Sequence, residues 1–355
     1  MMKTKTLKYI FVANKIKEDI KSGKITDQLP GERVIAKELK ISYMTIRKAI
    51  DLLVDEGLLT RIPTKGTFVN TQRNKKKTYN IGFFLDDSIR DSISSPYYSL
   101  VFDELERAAI KQGYSLMFFS NYDDLRSLRS IRKVDGLIVS FFPRIENKIQ
   151  DITASLPVVV IGNSSSDKSI PSVIIDNFSG IISAVDYLVS LGHQRIGYIS
   201  GLLDSDIGQH RLNGYKIALS RHLLAEEQSL IYEGDYSYEA GTAGAKKLLA
   251  APIPPTAIVC ANDTMALGAI KAAFESGVKV PKDVSIVGFD NITSASQIHP
   301  GLTTVAAPIR DIAENSIKTL VSLIRGEEPT NRHIALPTRL IIRESCAIIT
   351  PKNSG

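Results

Sequence analysis

The alternation of short apolar runs with amphipathic segments is the feature that most restricts the fold of this chain. From residue 79 onward nine such runs recur, among them "DGLIVSF" (135–141) and "LPVVVIG" (156–162). Helical patterns separate them, at 98–112, 178–191, 208–222, 237–250 and 263–276. Buried strands joined by helices form parallel sheets built from βαβ units. About nine or ten strands are too many for a single sheet of this kind. We therefore predict an α/β body of two doubly wound lobes with a cleft between them.

The first 70 residues follow a different pattern, which predicts a helix-turn-helix. Residues 9–22 carry a mostly apolar helical stripe, and a shorter helix is expected over about 32–39. A three-residue turn then leads to a helix over 43–56. Two short helices joined by a tight turn, the second basic on its exposed side, are the arrangement of DNA-binding helix-turn-helix domains.

The helix over 43–56 has two distinct faces. One face is apolar at i, i+3, i+4 and i+7 and should be buried: Ile46, Ala49, Ile50 and Leu53. The other side carries groups that can meet phosphates and base edges: Tyr43, Thr45, Arg47 and Lys48. Ser42 is a suitable N-cap, and Gly57 a suitable C-terminal stop. After it, "LLTRI" and "TFVN" around a "PTKG" turn predict a two-stranded hairpin, or wing.

The charge is distributed unevenly along the chain. Residues 1–78 hold 18 Lys and Arg against 8 Asp and Glu, whereas residues 79–355 hold 26 against 30. A basic head on a mildly acidic body indicates that the head alone meets a polyanion. We therefore predict a DNA-binding domain over 1–70 and a body over 79–349, joined by a basic linker over 71–78 that can add phosphate attraction.

The head resembles the GntR family of winged-helix regulators, in "LPGER" (29–33), "ISYMTIRKAIDLLVDEGLL" (41–59) and "KGTFV" (65–69). The resemblance implies DNA contacts for matching positions: Arg33 to phosphate, Thr45 and Arg47 to phosphate or base edges, and Lys65 and Gly66 at the wing tip. Tyr43 departs from the family pattern, which often has Arg there. The alternative for Arg33 and Arg47 is an ion pair within the head, with Glu32, Glu38 or Asp51; Thr45 could be an ordinary helix residue.

The body resembles the LacI-type sugar-responsive domain, which shares its fold with periplasmic sugar-binding proteins. The motifs that carry this are "DGLIVS" (135–140), "LVSLGHQRIGYISG" (188–201), "HRLNGYKIAL" (210–219), "CANDTMALGAIKAA" (260–273) and "VPKDVSIVGFDN" (280–291). A GntR-like head on a LacI-like body is the arrangement of the AraR type of repressor.

That resemblance places a small-molecule effector in the cleft between the lobes. It implies that Arg211 and Asp290 bind sugar hydroxyls, that Asn262 adds a polar contact, and that Tyr97, Tyr98 and Tyr236 cover the ring. A buried structural pair is the alternative for Arg211 and Asp290, and core packing is the alternative for the tyrosines. Asp263 is expected to be a helix N-cap rather than a ligand group.

Signals for other classes of protein are missing from the sequence. It contains no GxSxG elbow, no GxxxxGK[ST] loop and no GxGxxG after the first strand, so we predict no enzyme and no cofactor. The five histidines show no spacing for metal ligands, so no metal site is predicted. No apolar run approaches the ~18–20 residues of a membrane span. Cys260 and Cys346 lie far apart, which suits a reducing cytoplasm.

These observations together predict a ligand-responsive transcriptional repressor of carbohydrate-utilisation genes. It should act as a homodimer on a near-palindromic, double-stranded DNA operator and leave it when a mono- or disaccharide binds. One alternative is a sugar- or nucleoside-binding protein of the transport class, against which the basic head argues. A second is corepression, in which the ligand tightens DNA binding; only the sign of the coupling separates it from induction.

Overall fold

The structure is a computed structural model that describes residues 3–63, 65–69, 77–86, 91–122, 125, 133–140, 152–153, 156–163 and 165–349. The chain divides into two compact units. The head unit comprises Met1–Thr78 with Leu125–Lys133, and the body unit comprises Tyr79–Asp124 with Val134–Gly355. The sequence assigned 125–133 to the body instead. Of the predicted linker, residues 71–76 lie outside the described residues. The domain bounds 1–70 and 79–349 therefore remain predictions.

The described residues of the head form three helices and a hairpin: α1 (Lys3–Lys21), α2 (Glu32–Leu39), α3 (Tyr43–Asp55), β1 (Leu59–Ile62) and β2 (Gly66–Val69). Helix α1 begins six residues before the predicted start, because no glycine or proline interrupts the polar stretch ahead of the apolar stripe. Ser42 caps α3 by accepting a hydrogen bond from the Thr45 N–H. The predicted apolar stripe of α3 is completely buried against the rest of the head, which confirms the helical periodicity.

The wing is broader than the predicted hairpin. Strands β1 and β2 pair antiparallel, with Leu59 opposite Val69. The connection between α1 and α2 adds a third segment along β2: the Leu29 N–H donates to the Thr67 carbonyl at 2.8 Å, and the Val69 N–H donates to the Asp27 carbonyl at 2.6 Å. The wing is thus anchored to the segment that leads into α2.

The body is built on two six-stranded sheets. The first has the order β4–β3–β5–β6–β7–β13 and is parallel throughout. Its strands are β3 (Asn80–Leu85), β4 (Ser115–Phe119), β5 (Gly136–Ser140), β6 (Val158–Ile161), β7 (Ser172–Ile175) and β13 (His333–Leu336). The second has the order β9–β8–β10–β11–β12–β14, and only its edge strand β14 is antiparallel. Its strands are β8 (Ile196–Ser200), β9 (Ile231–Glu233), β10 (Ala257–Cys260), β11 (Ser285–Asp290), β12 (Thr303–Ala306) and β14 (Arg339–Ile341).

Helices connect and cover these sheets. They are α4 (Pro96–Lys111), α5 (Asn177–Ser190), α6 (Asp206–Arg221), α7 (Tyr238–Leu249), α8 (Asp263–Glu275), α9 (Thr293–Gln297) and α10 (Ile309–Arg325). The five helices predicted from periodicity lie within two residues of their observed bounds. The prediction of a doubly wound, two-lobed α/β body is confirmed.

Three strands of the described body escaped sequence analysis: β12, β13 and β14. Strand β13 lies at a sheet edge and alternates exposed with half-buried residues, and β14 is a three-residue edge strand. β12 begins with two threonines, so it lacks the unbroken apolar run that marked the other strands. Their short length and mixed composition hid them.

The chain crosses between the two lobes at three places, after Ile175, after Ala306 and after Leu336. Parallel strands on either side of these crossings direct their carboxyl ends toward the cleft. Among the described helices, none is both long and apolar enough to span a bilayer. The described residues also contain no cluster of His, Cys, Asp and Glu suited to a metal ion.

Candidate functional site

The predicted DNA-binding residues lie on the exposed surface of α2, α3 and the wing tip. Arg33, Arg47 and Lys65 are exposed, and no ion pair involves either arginine among the described residues. Of the three carboxylates proposed as their alternative partners, Glu32 and Asp51 both bind Arg61 instead, and Glu38 forms no ion pair with either arginine among the described residues. Arg61 thus neutralises these two acids and leaves Arg33 and Arg47 available to a polyanion.

Two of the predicted DNA-binding groups are engaged within the head. The Thr45 hydroxyl lies 2.7 Å from the Ser42 hydroxyl, so it takes part in the helix cap. The Lys48 ammonium lies 4.6 Å from the centre of the Tyr9 ring, in a cation–π contact with α1. Tyr43 is 39% exposed at the start of α3. The DNA roles of all these residues remain predictions.

Gly66 occupies a wing position that only glycine fits without strain. Its φ is +122°, and an added Cβ would lie 2.7 Å from the Gln28 amide nitrogen. That amide donates to the Lys65 carbonyl at 2.8 Å and holds the tip of the hairpin. The backbone conformation of the turn is therefore sufficient reason for a glycine at this position, and the predicted close approach to DNA would be a second reason.

A cavity of about 380 Å³ lies in the body at the carboxyl ends of the strands of both sheets. All six residues predicted to bind the effector line it: Tyr97, Tyr98, Arg211, Tyr236, Asn262 and Asp290. Open α/β sheets bind ligands at this edge, and the volume lies in the range of small-molecule pockets. The structure thus brings the six together from two helices, two loops and one strand end that are far apart in sequence, while their role in binding remains a prediction.

Arg211 is the central side chain of the cavity and is only 5% exposed. Its Nε–H donates to Asn177 Oδ1 at 2.8 Å, and one terminal nitrogen donates to the Ala261 carbonyl. The other lies 3.5 Å from Asp290 Oδ1, and the guanidinium carbon is 3.7 Å from the centre of the Phe289 ring. These contacts fix the guanidinium plane and still leave N–H groups for a ligand, because the side chain has five donors.

Asp290 is the last residue of β11 and has a backbone conformation of the kind often found at functional sites. Its φ is +111°, an unusual value for a residue other than glycine. The carboxylate is 6% exposed, and burial raises its pKa to about 7 against the opposing effect of Arg211. A strained, buried acid beside a buried cation is a feature of binding sites, although structural ion pairs also shift pKa values.

The N-cap of α8 is Asn262, not Asp263 as the sequence predicted. Asn262 is the N-cap of α8, since its Oδ1 accepts from the Met265 N–H at 2.9 Å. Its Nδ2 donates to the Tyr236 carbonyl at 3.0 Å. The prediction that Asp263 caps the helix is wrong: its carboxyl is fully buried and accepts hydrogen bonds from the Ile292 N–H and the Thr304 hydroxyl.

The three tyrosines enclose the cavity from both lobes. Tyr97 and Tyr98 form an edge-to-face pair with ring centres 5.1 Å apart, and the Tyr98 hydroxyl lies 3.1 Å from the Ser140 hydroxyl. Tyr236 has a φ of +68°, and its buried hydroxyl makes no hydrogen bond among the described residues. Burial raises the pKa of all three phenols, so they remain neutral donors and acceptors.

Sequence reasoning missed the residues that position these groups. Asn177 lies at the first crossing between the lobes and orients Arg211, while Phe289 lies beneath the guanidinium. Ser140 orients Tyr98 from the end of β5. In the sequence, these three residues were marked only by their position at the carboxyl end of a strand or within two residues of it.

Gly201 offers a test of the position of Tyr236. An alanine Cβ at residue 201 would lie 2.0 Å from the Tyr236 ring, so Gly201→Ala must displace the tyrosine. We expect Gly201→Ala to weaken effector binding about as much as Tyr236→Ala, and the double variant to lose little more than either single variant. Isothermal titration calorimetry measures this cycle; additive losses would show that Gly201 acts elsewhere.

The buried acids also predict how stability depends on pH. Burial, followed by the charge of Asp290, raises the pKa of Asp263 to about 8, and burial raises that of Asp290 to about 7. Between pH 4 and 8 these two carboxyls therefore bind more protons in the native state than in the unfolded state, and their contribution to the free energy of unfolding falls as pH rises. Burial lowers the pKa of His193, and this single group opposes the trend near pH 6.

Urea unfolding of the full chain, followed by circular dichroism, should give a lower midpoint at pH 8 than at pH 5.5. Asp263→Asn should flatten this dependence, because it removes one titrating group. Asp103→Asn, on the exposed side of α4, is the matched control and should leave the dependence unchanged. A wild-type midpoint that rises between these pH values would contradict the prediction.

A winged helix-turn-helix joined to a two-lobed α/β body with a ligand-sized cavity defines the class of ligand-responsive transcription regulators. Residues 8–69 match the family described as bacterial regulatory proteins, gntR family, and residues 185–346 match the periplasmic binding protein-like domain. The chain belongs to the family of bacterial transcriptional repressors of LacI and GntR type, as the relatives below show.

The "Probable HTH-type transcriptional repressor ExuR" of Bacillus subtilis (strain 168) is 31% identical over 329 residues, 89% of this chain and 98% of the relative. The HTH-type transcriptional repressor CytR of Escherichia coli (strain K12) is 32% identical, over 78% of this chain and 81% of the relative. A regulatory protein of the LacI family from Chloroflexus aggregans is similar in structure, with a TM-score of 0.66 and 31% identity over 76% of this chain and 99% of that protein.

Proposed function

We propose that this protein represses carbohydrate-utilisation genes and that a small sugar, a mono- or disaccharide, releases it from its operator. The observation that carries the proposal is the arrangement of Arg211, Asp290 and three tyrosine rings around one cavity. A guanidinium donates to hydroxyl groups and a carboxylate accepts from them, while aromatic faces cover the C–H surface of a sugar ring.

DNA binding would use the head as a homodimer on a near-palindromic site. The second helix of a helix-turn-helix enters the major groove, and two copies reach half-sites about one helical turn apart. Arg33 and Arg47 are exposed and form no ion pair with the residues that the structure describes, and this, with the net basic charge of the head, supports the assignment.

The position of Arg211 offers a route from the cavity to the lobes. Its side chain bonds to Asn177 at the first crossing and forms an ion pair with Asp290. The Asp290 carbonyl in turn accepts a hydrogen bond from the Ala307 N–H at 3.3 Å, at the second crossing. A ligand that engages this group would act where the chain passes between lobes. Release from DNA then requires that the sugar bind more tightly to the DNA-incompetent state.

The protein would act by binding rather than by catalysis, in the cytoplasm where its operator lies. The relatives that match most of this chain are named as transcriptional repressors. The DNA-binding head, which distinguishes such repressors from a transport-binding protein, is present in this chain.

A thermal-shift screen of the full chain against pentoses, hexoses, disaccharides, phosphosugars and nucleosides tests the proposal. A ligand at a hundred times its Kd adds about 2.7 kcal/mol to stability and should raise the unfolding midpoint by several degrees. The binder is then added to the protein–operator complex in an electrophoretic mobility shift assay. Release supports induction, tighter binding indicates corepression, and a binder without any operator affinity would favour the transport class. If no sugar shifts the midpoint, the proposed effector class is wrong.

A further inference from the structure

The exposed start of α3 offers fewer polar groups to DNA than its sequence suggests. Thr45 bonds to Ser42, and Lys48 contacts the Tyr9 ring, so both groups are engaged within the head. Arg47 is then the cation of α3 that has no partner among the described residues. Arg47 and the exposed Tyr43 are thus the polar groups of this surface without a partner among the described residues, and an apolar contact would add to what they can recognise.

Met44 is the most exposed large apolar side chain among the described residues of the head, at 69%. At 100° per residue it lies nearly opposite the buried stripe of α3, within the first turn of the helix. A single exposed apolar residue is ordinary on a protein surface. This one lies at the N-terminal end of the second helix of a helix-turn-helix, and that end is the part that contacts base edges in the major groove.

We propose that Met44 recognises a thymine in each operator half-site through the C5 methyl group of the base. The inference rests on the proposed binding of DNA by the head. The thymine methyl is the apolar group that base pairs present in the major groove, and a flexible, polarisable thioether packs against it without an unsatisfied hydrogen bond. Arg47, one turn further along the same side, would pair with a guanine beside that thymine.

The test begins with operators selected from a random DNA pool by the full-length protein. Each thymine of the half-site is then replaced by deoxyuridine, which loses the methyl group and keeps every hydrogen-bonding atom. We expect one position at which the wild-type affinity falls about three- to fourfold per half-site, and about tenfold when both half-sites are changed. Met44→Ala should bind thymine and deoxyuridine operators equally.

Val34→Ala is the matched control, since Val34 is also an exposed apolar residue of the head, at 53% on α2, and it should keep the wild-type sensitivity. Wild-type protein that is insensitive to deoxyuridine at every position would overturn the inference while operator binding stands. Equal sensitivity in Met44→Ala and wild type would also overturn it. Failure to enrich any sequence would instead remove the proposed function and this inference with it.

Discussion

Replacing Arg211 with alanine is expected to reduce affinity for the effector at least about 30-fold, the lower end of the 2–5 kcal/mol lost when one partner of a buried charge pair is removed. The variant loses a donor to the ligand and leaves the carboxylate of Asp290 buried without its cation. In the operator assay, the protein should remain bound at sugar concentrations that release the wild type.

Two further variants separate this effect from a general loss of folding. Arg221→Ala changes an exposed arginine at the end of the same helix and should bind the effector normally. Arg211→Lys keeps a cation beside Asp290 but loses the planar fork that bonds to Asn177 and Ala261, so it should fold and still bind weakly. If Arg211→Ala bound the effector with wild-type affinity, the assignment of the cavity as the effector site would be wrong.

Replacing Arg47 with alanine is expected to weaken operator binding about 5- to 150-fold per half-site, since a bidentate contact to guanine contributes about 1–3 kcal/mol. A homodimer loses two such contacts, so the total effect should be larger. The measurement is the affinity of the full chain for its selected operator by fluorescence anisotropy, at several salt concentrations.

The form of the loss identifies the contact. If Arg47 contacts a base, the variant should lose discrimination at one guanine; if it contacts phosphate, binding should weaken uniformly and the salt slope should fall by about one per half-site. Lys24→Ala removes the same charge from a lysine paired with Asp19, and should have a smaller effect. Unchanged affinity in Arg47→Ala would show that α3 does not read the operator.

Local periodicity was sufficient to predict most of the fold. The apolar stripe of α3 and the unbroken runs of β5 and β6 bury the residues that their spacing indicated. Strands β12, β13 and β14 were invisible by the same reasoning, because a short or edge strand needs no continuous apolar run. Pairing along the sheet, rather than composition, makes them strands.

The candidate site was predictable in its membership and not in its interactions. The six residues named from the resemblance to the LacI-type domain line one cavity, yet Asn262 rather than Asp263 caps α8, and Asp263 is a buried acid. Asn and Asp have nearly equal preference for the N-cap position, so the sequence does not decide between two such neighbours. The direction of each side chain in the folded protein decides which of them caps the helix. Arg61 likewise binds Glu32 and Asp51, two of the three acids that the sequence offered to Arg33 and Arg47, and sequence spacing does not predict this choice.

The sequence by itself determined the class of each unit, because hydrophobic spacing and charge are properties of short stretches of chain. Only the tertiary structure decided which polar groups remain free for a ligand. Asn177 and Asp290 reach Arg211 from positions 34 and 79 residues away in the sequence. In the head, Thr45 and Lys48 are engaged while Arg47 and Met44 stay exposed. Availability of a side chain depends on its three-dimensional neighbours, which periodicity does not encode.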